Sequence, residues 1–267
     1  MGNIIGILSI KGGVGKTSCT SNLGAAFASF NKRVLVVDAN FSAPNLGFHF
    51  GLSDPRITIH DVLTNRTHIQ DAIHEYNHNL HVLPGSLLND KVNPFKLREK
   101  LNKLRNHYDI ILIDSSPNLN NEILATMLAS DELFVVTSPD YPALSCTMHA
   151  VKVAKQRKTP IVGLIINLVR NKSFELSIED IEEATGIPVV GFLPNDIKIP
   201  ESIAYTTPAV EYSPTSNVSI EFKKLASAII NEEYQDPRFL HRLKRIFNRE
   251  LRKDHLNRDL LRQGKLW

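Results

Sequence analysis

The sequence predicts a doubly wound α/β fold built on a mainly parallel sheet. Three observations predict it. Seven short apolar runs recur along the chain, several without polar alternation, as strands buried on both faces require. Helical patterns separate most of these runs, the order expected of parallel strands joined by crossover helices. A glycine-rich loop follows the first run and leads directly into a helical stretch.

The apolar runs cover residues 4–10, 34–38, 80–83, 110–114, 133–137, 161–167 and 189–193. Helical spacing falls near 17–30, 94–107, 120–130, 142–157, 177–185 and 217–233. Ser213-Pro214 marks a loop before the last of these. The pattern breaks at Tyr234-Gln235-Asp236-Pro237, where Asp236 suits an N-cap and Pro237 a first helical turn. The chain therefore divides into a core, 1–235, and an appendage, 236–267. It holds no internal repeat and no low-complexity block.

With 267 residues and 42% hydrophobic content, the core suffices for one large α/β domain. The net charge of +3 is unevenly placed. Residues 236–267 hold 10 Lys/Arg against 4 Asp/Glu, and the rest hold 21 against 24. A basic tail on a slightly acidic body points to an anionic partner, nucleic acid or membrane, or to a solvated helix face. Cys19 and Cys146 form no CxxC pair, which excludes a disulfide framework and a cysteine zinc site and fits buried thiols in a reducing compartment. No run reaches the ~18 apolar residues of a membrane span, and no basic segment precedes the first apolar run as in a signal peptide. Gly6 stands where a myristoylation signal wants Ser or Thr. A cytoplasmic protein is the expectation.

The chemistry concentrates at Lys11-Gly12-Gly13-Val14-Gly15-Lys16-Thr17, followed by Ser18. Three glycines let the backbone curl so that its N–H groups face an anion, and the helix behind adds its positive end. Lys16 can reach the β- and γ-phosphates of a nucleotide, and the Thr17 hydroxyl can ligate Mg²⁺. Ile10 occupies the place of the first glycine in the common phosphate-loop pattern, and Lys11 is an additional lysine. This run resembles the deviant Walker A of the MinD/ParA family of ATPases. The resemblance spans roughly residues 3–232 and implies the P-loop NTPase fold, ATP and Mg²⁺ as cofactors, and an ATP-sandwiched homodimer in which Lys11 reaches the partner's phosphates.

Four further segments fit the resemblance. Asp38 and Asn40, in Asp38-Ala39-Asn40, stand where the family's first switch usually reads D-x-D; the family role is metal-water ordering for the first residue and positioning of the attacking water for the second. Asn40 departs from that pattern, because an amide can hold a water but cannot take its proton at neutral pH. An apolar strand ends in Asp114, the Walker B position, which would bind Mg²⁺ through water, and Ser115-Ser116-Pro117-Asn118 resembles the second switch. Asn167 is placed as the adenine-reading residue, although Leu168 follows it where the family commonly has Arg. Pro194 and Asp196 resemble the loop that packs against the base, with a plain turn as the alternative.

In the tail, Phe239, Leu240, Leu243, Ile246, Phe247 and Leu251 recur at helical spacing among seven basic residues, a basic amphipathic helix suited to an anionic membrane surface. Members of the MinD type end in a similar membrane-targeting helix. Glu250 near the apolar face and the continuation past Leu256, Leu260 and Leu261 depart from a short lipid anchor and leave open packing on the core, a partner protein or nucleic acid. The function expected is a slow, dimerising switch ATPase for spatial organisation, peripheral at the inner face of the membrane and stimulated by a protein partner. The alternatives are a weakly hydrolysing nucleotide-gated adaptor and a ParA-like DNA-binding partition ATPase. Metal-cluster carriers of this fold need paired cysteines that the sequence lacks, and small-molecule ligases of this fold give no reason for the tail.

Overall fold

A computed structural model describes residues 1–87, 91–238 and 253–264. Eight strands form one sheet in the order β3-β4-β2-β5-β1-β6-β7-β8. They are β1 (Asn3–Leu8), β2 (Val34–Ala39), β3 (His74–Asn77), β4 (Leu80–Leu83), β5 (Ile110–Ser115), β6 (Glu132–Thr137), β7 (Ile161–Val169) and β8 (Val189–Pro194). Every pairing is parallel except β3 with β4. Every residue of β2 and β5 is buried, which explains their unbroken apolar pattern.

Alternation along each strand sends side chains to two different cores. Ile5, Ile7, Val34, Val36 and Leu112 pack with Leu23 and Phe27 of α1 (Lys16–Ser29) and with Phe222 and Leu225 of α9 (Asn217–Ile229). Ile4, Leu35, Val37, Ile111 and Ile113 face the other way, onto α2 (Ile59–Leu63) and α3 (Leu97–Asn102). On that second side Ile123 and Met127 of α4 (Asn121–Ala129) pack with Leu133 and Val135 of β6, Val151 of α5 (Tyr141–Arg157) and Ile181 of α6 (Ile178–Thr185). Helix α1 lies close to the sheet because Gly24 has no side chain; a Cβ there would stand 2.7 Å from Val36.

Helix ends carry the expected chemistry. Asn120 accepts the Glu122 and Ile123 N–H groups at the start of α4, and Asp140 accepts that of Ala143 at the start of α5. Helix α6 opens on a Ser177–Asp180 capping box and closes on Gly186 in the left-handed region. Some elements differ from the sequence expectation. The first strand stops at Leu8, since residues beyond it turn into the glycine loop. The helix expected over 94–107 is a 3₁₀ turn and then only α3. Strand β3, α2, α7 (Lys198–Ala204) and α8 (Ala209–Tyr212) were not foreseen. Cys19 is buried as expected, whereas Cys146 is only half-buried.

In the tail, residues 239–252 lie outside the described residues, and with them the apolar positions from Phe239 to Leu251. Asp236 does accept the Arg238 N–H at 3.0 Å, yet it also pairs with Lys224 at 2.5 Å and with the Arg238 guanidinium at 2.6 Å. Helix α10 (Lys253–Arg262) packs on the core. Asn257 donates to the Val189 carbonyl at 2.8 Å, and Arg258 lies 2.5 Å from Asp254 and 3.4 Å from Glu221 of α9. Burial pushes the Glu221 carboxyl up, but Arg258, Lys224 and Arg238 outweigh it and hold it at about 2.

Arg258 is 5% exposed and pairs with both Asp254 and Glu221, so its removal takes a buried cation from two carboxylates at once. Arg258→Ala is expected to cost about 3 kcal/mol or more in urea unfolding. Glu221 is depressed from 4.5 to about 2. Its contribution is therefore complete above pH 4.5 and lost as pH falls toward 2. Acid titration of Glu221→Gln, followed by circular dichroism, should lack that part of the wild-type loss.

Candidate functional site

The site lies at the carboxyl ends of β1, β2 and β5, where open α/β sheets bind ligands. The chain leaves β1 and turns through Gly13 and Gly15 at φ +78° and +84°. No N–H of Gly15, Lys16, Thr17 or Ser18 donates to an acceptor among the described residues, so the start of α1 presents a row of free donors. A Cβ on Gly12 or Gly13 would meet nothing within 4 Å, which leaves the backbone open to a ligand.

Asp114 collects the loop's side chains. Its carboxyl is fully buried and accepts from Lys16 Nζ at 2.8 Å, while the hydroxyls of Thr17 and Thr20 lie 2.7 and 3.3 Å away. Asp38 is its register partner across β2 and β5, equally buried. Asp38 accepts the N–H groups of Asn40 at 3.1 Å and of Asn45 and Leu46 at 2.9 Å. Burial first, and the Asp114 charge second, push its carboxyl up to about 7. Two buried carboxylates therefore face one lysine. That donor set, with Thr17 beside it, suits a hard divalent cation carrying phosphate. Asp38, Asp114 and Thr17 would hold Mg²⁺, and the loop N–H groups with Lys16 would hold the nucleotide phosphates.

The other sequence candidates are placed as follows. Lys11 forms a two-pronged contact with Asp140 at 2.8 and 3.0 Å. Burial pushes the Asp140 carboxyl up, but hydrogen bonds from Lys11, Ser138 and Ala143 outweigh it and hold it below the usual carboxylate range. Asn40 is buried and donates its side-chain amide to the Ala43 carbonyl at 2.6 Å, which commits that group to the turn. Asn167 donates to the Val14 carbonyl at 2.8 Å, so it buttresses the phosphate loop. The next residue, Leu168, takes φ +60° where β7 loses register with β8. Pro194 ends β8, and Asp196 accepts the Lys198 N–H at 3.0 Å, a local turn contact. Asp140, Asn45 and Thr20 were not singled out in the sequence. Asp140 carried one readable signal, an N-cap ahead of Pro142, but nothing there indicated Lys11.

Comparison with known proteins gives the family. Residues 2–162 match the family model described as AAA domain, and residues 87–251 match that of 4Fe-4S iron sulfur cluster binding proteins, NifH/frxC family. The chain is 33% identical to an uncharacterized ATP-binding protein of Methanocaldococcus jannaschii, over 86% of this chain and 89% of that one. It is 35% identical to the septum site-determining protein MinD of Pyrococcus horikoshii complexed with Mg-ADP, with a TM-score of 0.80, covering 85% of this chain and 95% of that one. It also superposes on the MinC:MinD cell division protein complex of Aquifex aeolicus, at 26% identity and TM-score 0.79, covering 88% and 98%. The chain belongs to the MinD/ParA family of P-loop ATPases. It is an ATPase that uses ATP and Mg²⁺. The cluster-binding match brings no cluster ligands with it, because the sequence has two cysteines and Cys19 is buried in α1.

The link between Asn167 and the loop makes a testable demand on Gly15. A Cβ at Gly15 would stand 2.3 Å from the Asn167 amide nitrogen, at a φ that side chains avoid. Gly15→Ala is expected to weaken Mg-ATP binding at least ~10-fold, the effect of ~1–3 kcal/mol of local strain, by isothermal titration calorimetry.

Proposed function

We propose that the chain is a nucleotide-gated positioning switch, and the observation that carries this is the pair of lysines held by different acids. Lys16 pairs with the buried Asp114, whereas Lys11 pairs with the partly exposed Asp140. Lys16 serves its own nucleotide; Lys11 is free to exchange Asp140 for the phosphates of a second copy. Mg-ATP then joins two subunits, each completing the other's site. Hydrolysis to ADP and phosphate removes the γ-phosphate that Lys11 needs, and the pair separates.

The output is the spatial organisation of other cell components, as the septum site-determining relatives suggest, with the protein moving between cytoplasm and the inner membrane face. No described helix is long and apolar enough to cross a membrane. The basic residues of 236–267 supply attraction to an anionic surface, and doubling them by dimerisation turns marginal binding into stable attachment. The Aquifex aeolicus complex supports a protein partner as the regulator.

Sedimentation velocity tests the gate. The wild-type chain should dimerise with Mg-ATP and stay monomeric with ADP, and Lys11→Ala should bind ATP yet remain monomeric. A full Lys11→Ala dimer refutes the exchange. Co-sedimentation with anionic liposomes tests the output: binding should require ATP, and Phe247→Glu should abolish it without loss of ATP binding. Salt-sensitive binding to DNA in place of liposomes would assign the tail to nucleic acid.

A further inference from the structure

Hydrolysis needs a group that orients the attacking water, and Asn40 is poorly placed for it. Its position lacks a carboxylate, and its amide is donated to Ala43. A different carboxylate reaches the same loop. Glu122, in the first turn of α4, accepts a hydrogen bond from the Ser42 hydroxyl through Oε1. Ser42 lies between Asn40 and Asn45, and the Asn45 side chain is 3.1 Å from the Thr17 hydroxyl of the phosphate loop. The second oxygen of Glu122, Oε2, is buried and has no partner.

That combination has a physical meaning. A buried carboxylate oxygen without a donor costs about 1–3 kcal/mol or more, so proteins keep such atoms where a ligand or water uses them. Helix α4 follows the strand that carries Asp114, with Ser116 bonded to the Asn120 cap at 3.0 Å. Glu122 thus joins the loop that follows Asp38 to the helix that follows Asp114, fixed by one oxygen and without a donor at the other.

We propose that Glu122 supplies the water-directing carboxylate that Asn40 lacks. Oε2 accepts a hydrogen bond from the attacking water and takes its proton as the new P–O bond forms. The bond from the γ-phosphorus to the bridging oxygen breaks, ADP leaves with the electron pair, and the proton passes on to the released phosphate. Glu122 acts as a catalytic residue in this step, and Ser42 as the positioning residue that orients it. The inference rests on the hydrolytic reading of the loop.

Single-turnover hydrolysis of radiolabelled Mg-ATP by the full chain tests it. Glu122→Gln keeps the shape and the Ser42 contact and should slow the chemical step by ~10²-fold or more, with ATP affinity and melting temperature unchanged. Adding Asn40→Asp to Glu122→Gln should restore much of the rate, because it returns a carboxylate to the loop; a merely structural Glu122 would show no such rescue. Glu122→Asp should fall between wild type and Glu122→Gln. Undiminished turnover in Glu122→Gln overturns the role of Glu122 and leaves the hydrolytic reading standing. A wild-type chain that binds Mg-ATP without any turnover overturns both.

Discussion

The buried carboxylate of Asp114 is the point on which the site depends. It sits beside Asp38 with no solvent to screen either charge, and in that setting an unpaired ion costs several kcal/mol. Lys16 answers one charge, and the Thr17 and Thr20 hydroxyls support the same carboxyl. These contacts tie the first turn of α1 to the end of β5 and so fix where the glycine loop can run. The second charge has no lysine. Three backbone N–H groups compensate Asp38 in part, and its raised affinity for a proton shows how incomplete that compensation is. A cation brought in with a polyphosphate would complete the balance, and Lys16 would then exchange Asp114 for the phosphates.

Most of this was legible in the sequence where the physics is local. Unalternated apolar runs gave seven strands because both faces of the sheet are covered. The glycine spacing located the loop, and the strand ending in Asp114 located its counterion. Strand β3 was missed because His74–Asn77 has no apolar pattern; its pairing with β4 is antiparallel and irregular, and its residues are at most half-buried. Helices α2, α7 and α8 are too short for a helical period to show. The functional contacts that escaped join residues far apart in sequence. Lys11 meets Asp140, Ser42 meets Glu122 and Asn167 meets Val14 only through the strand order. Asn167 also braces the loop through its amide, a contact no spacing announces.

The tail shows the same limit. Its composition indicated a basic helix and left packing on the core open. The described segments on both sides of residues 239–252 are fastened to α9. Arg238 reaches Glu221 at 2.8 Å, and Arg258 reaches the other oxygen of the same carboxylate at 3.4 Å. Charge that reads as a solvated or membrane-facing surface is thus taken up internally at the described positions: Arg238 and Arg258 pair with Glu221, Lys253 with Glu182 and Arg262 with Asp259.

The same ion pairs lie at one end of a packed route from the nucleotide site. Helix α1 begins at the phosphate loop and shares its apolar core with α9 through Leu23, Phe27, Phe222 and Leu225. Helix α9 carries Glu221, where both flanks of the tail converge. A contiguous path therefore runs from Lys16 to Arg258. Contiguity alone makes no switch, since a packed core transmits nothing unless some element has two arrangements. The apolar contacts between α1 and α9 have one close-packed solution. The ionic contacts differ: Glu221 is shared among Lys224, Arg238 and Arg258, so one partner can leave while the others hold its charge.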